Sequence, residues 1–543
     1  MNYSSVAAVC VLGLVQLVGA THVFGAAQEG VRDVGQSGLG GVAAGKSVPV
    51  AGNRTLAERA AAVRERAVAY LMSRQDKASG GWAVPKAGEQ KPHLPAVTAL
   101  AVTGMSMGLA AGAGKGKDDG AVAESVAAGA RYILSHRKPD GGIYDAILPT
   151  YNTAIGLSAI ARIDTPEARA AIGPAQEFLK RSQWGVADPV GVGGAGGKEA
   201  PMPAAEIGVD HPFYGGVGYG NRGRPDLSNL AFTVQAWHDS GLSVDDEAYK
   251  RAIAFIERCQ MLPTVGTGDA AKVVNDQAYA KGSRQGGFIY ATAENDKTIG
   301  QGQSFAGTIE ETMDNGERVS KLRAYGSMTY AGFKSYLYAG LTAEDPRVTA
   351  AFEWAMKHWT LQENPGIGTD GFYYFLVMFS RAMDARGEAT AVPVSGEAFR
   401  SSLVLRGLKE GVTAAELKDA LVAQKEKGCP EVTQVVIVGK DGTEAKGRFA
   451  VVYFKEQDKV KDAEKCVEAA REGGLFTAVQ DRELVAAGGG KVDWRAALIE
   501  RLESLQLADG SFATIDDRWM ENDPSLTTAY ALVALEHARK SLK

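Results

Sequence analysis

Trp494-Arg-Ala-Ala-Leu-Ile-Glu-Arg-Leu-Glu-Ser-Leu-Gln506, then Ala508-Asp-Gly-Ser-Phe512, then Asp523-Pro-Ser-Leu-Thr-Thr-Ala-Tyr-Ala-Leu-Val-Ala-Leu-Glu-His-Ala-Arg539, is the stretch that decides the fold. In the first segment Leu498, Ile499, Leu502 and Leu505 recur at helical spacing with charges between them, which predicts an amphipathic helix. The Asp-Gly pair breaks it. In the third segment Asp523 is a candidate N-cap, Pro524 takes the first helical position, and Arg539 and Lys540 close the last turn. That third segment is apolar on nearly every side, so it demands burial all round. The unit is therefore an outer helix, a glycine turn and an inner helix.

The same unit recurs upstream. Outer helices are predicted over Leu56–Gln75, Val122–Arg137, Pro166–Gln183, Asp245–Gln260 and Pro346–Leu361. Inner helices are predicted over Pro95–Leu109, Tyr151–Arg162, Asp226–Ser240, Ser327–Ala339 and Gly371–Ala385. With the opening unit this makes six outer–inner pairs. Several inner helices begin with short polar residues, as in Tyr151-Asn-Thr-Ala154, Leu227-Ser-Asn-Leu230, Ser327-Met-Thr-Tyr330 and Leu526-Thr-Thr-Ala529. Such groups can cap the free N–H groups of a helix start. Repeats of this kind bury their apolar faces only against neighbours. A closed ring leaves no end uncapped, whereas an open solenoid needs polar terminal repeats.

Outer helices end in an aromatic residue with Gln five positions on, as in Tyr70–Gln75 and Phe178–Gln183, and Gly-Gly-Trp82 follows the first of them. These motifs resemble the repeat of squalene cyclases and protein prenyltransferases. Over about 55–395 and 490–540 the chain is similar to a prenyltransferase/squalene-oxidase repeat protein. The resemblance implies a mainly α fold, an (α/α)6 toroid with a central cavity. It implies much less about activity. The family's cyclases protonate their substrate with an Asp-x-Asp-Asp motif, and the nearest counterpart is Asp226-Leu-Ser-Asn-Leu-Ala231. Ser228 and Asn229 replace the acidic pair, and neither donates a proton as a strong acid. The Asp-x-Cys of prenyltransferase zinc sites and the Asp-Asp-x-x-Asp of magnesium diphosphate sites are absent from the sequence. The expectation is no cyclase or prenyltransferase activity, no metal and no cofactor.

Residues 397–488 change pattern. Strands are predicted at Ser402–Leu405, Thr433–Val438, Arg448–Phe454 and Phe476–Val479. Helices are predicted at Thr413–Lys425 and Lys459–Arg471, and Asp441-Gly442 suits a hairpin turn. The order βαββαβ is ferredoxin-like. This inserted α+β domain resembles a heavy-metal-associated domain without its cysteines, or an RNA-recognition motif with half its aromatics. Soft-metal transfer needs the thiolates, so the expected role is scaffold or protein contact.

The chain of 543 residues has a formal charge of only −5, which argues against a nucleic-acid or membrane-surface partner. Val6–Ala20 is an apolar run too short to span a bilayer and followed by small-residue cleavage sites. Residues 1–26 are therefore expected to be a signal peptide and 27–54 a flexible tether. The toroid then occupies 55–396 and 489–543, in a periplasmic or secreted protein without a transmembrane segment in its mature chain. Cys429 and Cys466 sit on elements that should share a sheet face, and export would permit a bond between them.

Candidate ligand-binding residues fall in three groups. His211, Tyr214, Tyr219, Arg222 and Asp226 lie in or next to a glycine-rich loop, a length of loop that is often functional. Tyr325, Tyr330 and Tyr373 belong to the start of inner helices and suit an aromatic cavity. Asp516 and Asp517 precede the last inner helix, where acidic groups favour the helix dipole. Two functions follow: binding of an apolar or glycan ligand, or of a protein partner through the insert; or an enzyme of another toroid class, a polysaccharide lyase or terpenoid-modifying enzyme, using the 205–225 loop.

Overall fold

The computed structural model describes residues 54–540 and 542, apart from 87, 111–118, 187–206, 221–222, 314, 394–401, 425–428, 439–448, 455–459, 482–490 and 515–517. The signal and tether readings, Arg222, Asp516, Asp517 and the Asp441-Gly442 turn lie outside the described residues. The chain is mainly α. Its helices are α1 (Leu56–Arg74), α2 (Pro95–Ala110), α3 (Asp119–Ser135), α4 (Pro149–Ile160), α5 (Pro166–Arg181), α6 (Leu227–Asp239) and α7 (Glu247–Cys259), then α8 (Gly326–Tyr338), α9 (Pro346–Lys357), α10 (Phe372–Arg386), α11 (Ala414–Val422), α12 (Val460–Arg471), α13 (Trp494–Leu505) and α14 (Pro524–Arg539). No helix among the described residues is long and apolar enough to cross a membrane.

Helices α2, α4, α6, α8, α10 and α14 are buried along nearly their whole length. They pack in that order, each on the next, and α14 packs back on α2. The remaining long helices lie outside them. The sequence pairs each outer helix with the inner helix that follows it. In the structure α3, α5 and α9 pack chiefly on the inner helix before them, and α1 packs on α14.

Two backbone devices fix this stagger. The turn after an outer helix carries a glycine with positive φ: Gly80, Gly141, Gly215, Gly286 and Gly510, at +76° to +91°. A Cβ there would lie 1.8–2.7 Å from a carbonyl oxygen of the next outer helix, so only glycine lets the two backbones meet. The glutamine that ends the outer helix then ties the same pair together. Gln260 Nε2 donates to Gly286 O at 2.8 Å and to Arg347 O at 2.9 Å. Gln75, Gln183 and Gln506 repeat the pattern on Gly80 and Ser125, Gly215 and Ala248, and Gly510 and Val63.

The short polar residues at inner helix starts do different work from the expected self-capping. Thr98, Thr153, Thr329 and Thr528 each accept, through Oγ1, the backbone N–H of a turn residue at 2.8–3.1 Å: Trp82, Ile143, Phe288 and Phe512. The helix starts are capped partly from the neighbouring unit instead. Asn152 on α4 accepts from Ala96 N on α2 at 3.0 Å, and Asn364 accepts from Ser327 N on α8 at 2.8 Å.

The segment between α10 and α13 holds an antiparallel sheet in the order β7-β8-β6-β9, from β6 (Ser402–Arg406), β7 (Val432–Val438), β8 (Phe449–Phe454) and β9 (Ala478–Asp481). Leu403, Leu405, Val435, Ala450 and Val452 form a separate core with Leu417 and Leu421 of α11 and Val467 of α12. Its two ends meet where β5 (Thr390–Ala391) pairs with β10 (Val492–Asp493). Cys429 is disulfide-bonded, and Cys259 is a buried free thiol. Four further strands escape the sequence reading: the two-residue pair β1 (Thr264–Val265) and β2 (Lys272–Val273), and the hairpin of β3 (Thr308–Thr312) with β4 (Arg318–Leu322). The hairpin strands are short and half exposed, so they carry no apolar run.

Gln260 also accepts from Tyr336 Oη at 3.0 Å and is fully buried. Gln260→Ala strands three buried polar groups and is expected to cost about 3 kcal/mol in urea unfolding. Gln506→Ala, whose amide oxygen has no partner in the fold, is expected to cost less. Burial pushes the His358 and His537 imidazoles down to about 3 and about 4. Both stay neutral when folded, while the unfolded chain protonates them near about 6.5. Their stabilisation is complete above that pH and is lost as pH falls toward the folded values, at about 1.4 kcal/mol per pH unit for each. Urea unfolding between pH 7 and 5 should show this decline, and His358→Gln should make it shallower.

Candidate functional site

The first turns of all six inner helices meet around a cavity of about 890 Å³, a volume that includes its open mouth. Apolar side chains from α2 and α14, Met328 of α8, and loop residues Leu94 and Leu148 line it. Between them stand Tyr151, Tyr219, Tyr290, Tyr325, Tyr374, Tyr530 and Trp519. Amphipathic rings of this kind can pack on carbon while the hydroxyl finds a partner.

The hydroxyls pair within the wall. Tyr151 Oη lies 3.2 Å from Tyr530 Oη, Tyr219 Oη 3.2 Å from Tyr290 Oη, and Ser228 Oγ 3.0 Å from Tyr374 Oη. Burial raises all these phenols, Tyr151 to about 12, so they remain protonated at neutral pH.

Among the described residues one charged side chain lines the cavity, Glu521. Helix α10 begins at Gly371, whose backbone is left-handed and which offers no side-chain cap. Glu521 supplies the cap: its Oε2 accepts from Tyr373 N at 3.2 Å and its Oε1 from Tyr374 N at 2.8 Å. Acceptance by helix N-terminal N–H groups suits a carboxylate. The segment that delivers Glu521 is strained. Trp519 and Met520 have φ of +55° and +65°, and Leu148, also in the wall, has +51°. Bulky residues in this region cost about 1–3 kcal/mol each and persist only where the surroundings enforce them. Three of the four non-glycine residues with positive φ among the described residues therefore border one cavity.

Asp226 stands behind this wall. It caps α6, accepting from Asn229 N and Asn229 Nδ2, both at 2.9 Å, and it is wholly buried. Burial raises its pKa, opposed by nearby Arg224 and by the Asn229 bonds. Of the other sequence candidates, Tyr219 and Tyr325 reach the cavity wall. Tyr330 is packed edge-on against Phe375 and Phe379 in the core, and Tyr373 against Phe512. His211 accepts from Phe213 N at 3.1 Å through its own ring and lies in a loop stapled by Arg258, which donates to Val209 and His211 carbonyls. Burial, with Arg258 beside it, lowers the His211 pKa. Tyr214 packs against the small Trp184–Phe213 cluster.

Tyr151, Tyr290 and Tyr530 were not singled out from the sequence. Tyr151 and Tyr530 sit in the opening turns of helices that are otherwise apolar, and Tyr290 follows a Gly-Gly turn; a polar tip on a buried helix was the available signal. Gly371 sets the room for Trp519: a Cβ there would lie 2.9 Å from its ring, and its φ is +58°. Gly371→Ala is expected to cost about 1–3 kcal/mol and to shift the near-ultraviolet circular dichroism as the Trp519 ring moves.

No family model matches the chain, and no curated protein matches it. Among solved structures it is similar to the apo type II terpene cyclase MstE from Scytonema, at 13% identity and a TM-score of 0.31, covering 76% of this chain and 98% of that one. A tyrosine-to-phenylalanine variant of the same cyclase gives 12% identity and a TM-score of 0.20 with the same coverage. At these values the likeness carries no argument about what this chain does.

Proposed function

We propose that this chain is an exported α/α toroid with an inserted ferredoxin-like domain, and that its central cavity binds a compact apolar molecule without transforming it. The closed order of inner-helix contacts supports the toroid, and the β7-β8-β6-β9 sheet with two helices supports the insert. One observation carries the ligand class: among the described residues the cavity wall exposes mostly carbon, with Asn152, Ser228, Ser327, the tyrosine hydroxyls and Glu521 as its polar groups. Concave sites with this lining take small apolar ligands. A glycan would need far more exposed polar surface than this wall offers. The counterpart of the cyclase acid, Asp226, is engaged as a helix cap and absent from the wall, which favours binding over cyclisation.

A second reading is an enzyme that uses the 205–225 loop. It draws on Tyr219, which this loop places in the wall against Tyr290.

The test is thermal unfolding of the full chain with isoprenoid and polycyclic hydrocarbons, against oligosaccharides. An apolar ligand at about a hundred times its Kd should add about 2.7 kcal/mol of stability, oligosaccharides none, and the ligand should be recovered unchanged. Tyr374→Ala and Trp519→Ala should abolish the effect. A shift with oligosaccharides alone, or chemical conversion of the ligand that Tyr219→Phe removes, would replace this reading with the enzyme.

A further inference from the structure

The polar atoms of the cavity wall have a donor surplus. Tyr151 and Tyr530 hold two hydroxyl protons and share one hydrogen bond; Ser228 and Tyr374 do the same. A hydroxyl can donate once, so each pair leaves one O–H unspent. Phe232 packs against both Tyr151 and Tyr374, and Tyr374 stands edge-on to Tyr530, so the two pairs border one patch. An unspent donor facing an apolar wall is costly until something accepts from it.

Charge narrows the class of acceptor. The inner helices contribute their first turns to this cavity, so the positive ends of their dipoles point toward it and disfavour a cation. The Glu521 carboxylate in the same wall disfavours an anion. Two more charges close by are balanced locally: Arg518 is bridged to Asp370, and Arg224 lies beside Asp226. A neutral oxygen satisfies the donors and offends neither field.

We propose that the ligand is a neutral, largely hydrocarbon molecule carrying a carbonyl-type oxygen, and that this oxygen accepts from the Tyr151–Tyr530 and Ser228–Tyr374 hydroxyl pairs. This rests on the cavity-binding reading above and adds the chemistry of the head group.

Four adamantanes of nearly equal size separate the possibilities: 1-acetyladamantane, 1-isopropyladamantane, adamantane-1-carboxylate and protonated 1-(1-aminoethyl)adamantane. Binding to the full-length chain is read by intrinsic fluorescence at pH 7. The ketone should bind about five-fold or more tighter than the hydrocarbon, and tighter than either ion. Removing both hydroxyls of a pair, in Tyr151→Phe/Tyr530→Phe or in Ser228→Ala/Tyr374→Phe, should shrink the advantage of the ketone over the hydrocarbon, with far-ultraviolet circular dichroism confirming that both double variants fold. Equal affinity for ketone and hydrocarbon, or an ion that matches the ketone, overturns the head-group assignment and leaves the cavity reading standing. Failure of all four to bind overturns both.

Discussion

The side-chain amide of a glutamine, placed at the end of an outer helix, holds this architecture together. Its one NH2 group reaches two backbone carbonyls, one in its own turn and one in the next outer helix, in four of the repeats. Buried carbonyls left without donors would each cost free energy. The bond is possible only because a glycine with positive φ lets the turn touch the neighbouring backbone. The stagger of outer over inner helices follows from that contact, and the order of the inner helices follows from the stagger.

The cavity is a by-product of the same order. Six helices that are apolar all round bury one another over most of their length, as Tyr330 and Phe379 illustrate. At their first turns the side chains are smaller or polar, and capping groups arrive from adjacent units. Asn152, Asn364 and Glu521 each serve a helix belonging to a neighbour. The centre therefore closes at the level of the cores and opens at the level of the caps. Strain is concentrated at that opening, in Leu148, Trp519 and Met520, while the cores carry none of the positive-φ side chains among the described residues.

Helix positions were legible because periodicity and punctuation are local. The prediction for Trp494–Gln506 and the Asp523 cap matches α13 and α14 to within a residue. The mainly α character was equally open to reading. Partner choice was not: whether α3 leans on α2 or on α4 depends on a Gly–carbonyl contact that no spacing encodes. The site was half legible. Tyr219 could be named from its long glycine-rich loop and Tyr325 from the aromatics around an inner helix start. Tyr330 and Tyr373 look the same in sequence but point into packed core, since neighbouring positions on a helix face different ways. The role of Glu521 emerges only when Gly371 is found without a side-chain cap of its own.

The two-residue ribbon that joins Thr390–Ala391 to Val492–Asp493 has an evolutionary reading. Entry and exit of the β6–β9 segment are stitched side by side, so the helices on either side are held whatever hangs from the stitch. A lineage could exchange or enlarge that appendage without disturbing the packed helices, which makes this joint the natural place for the protein to acquire new surface.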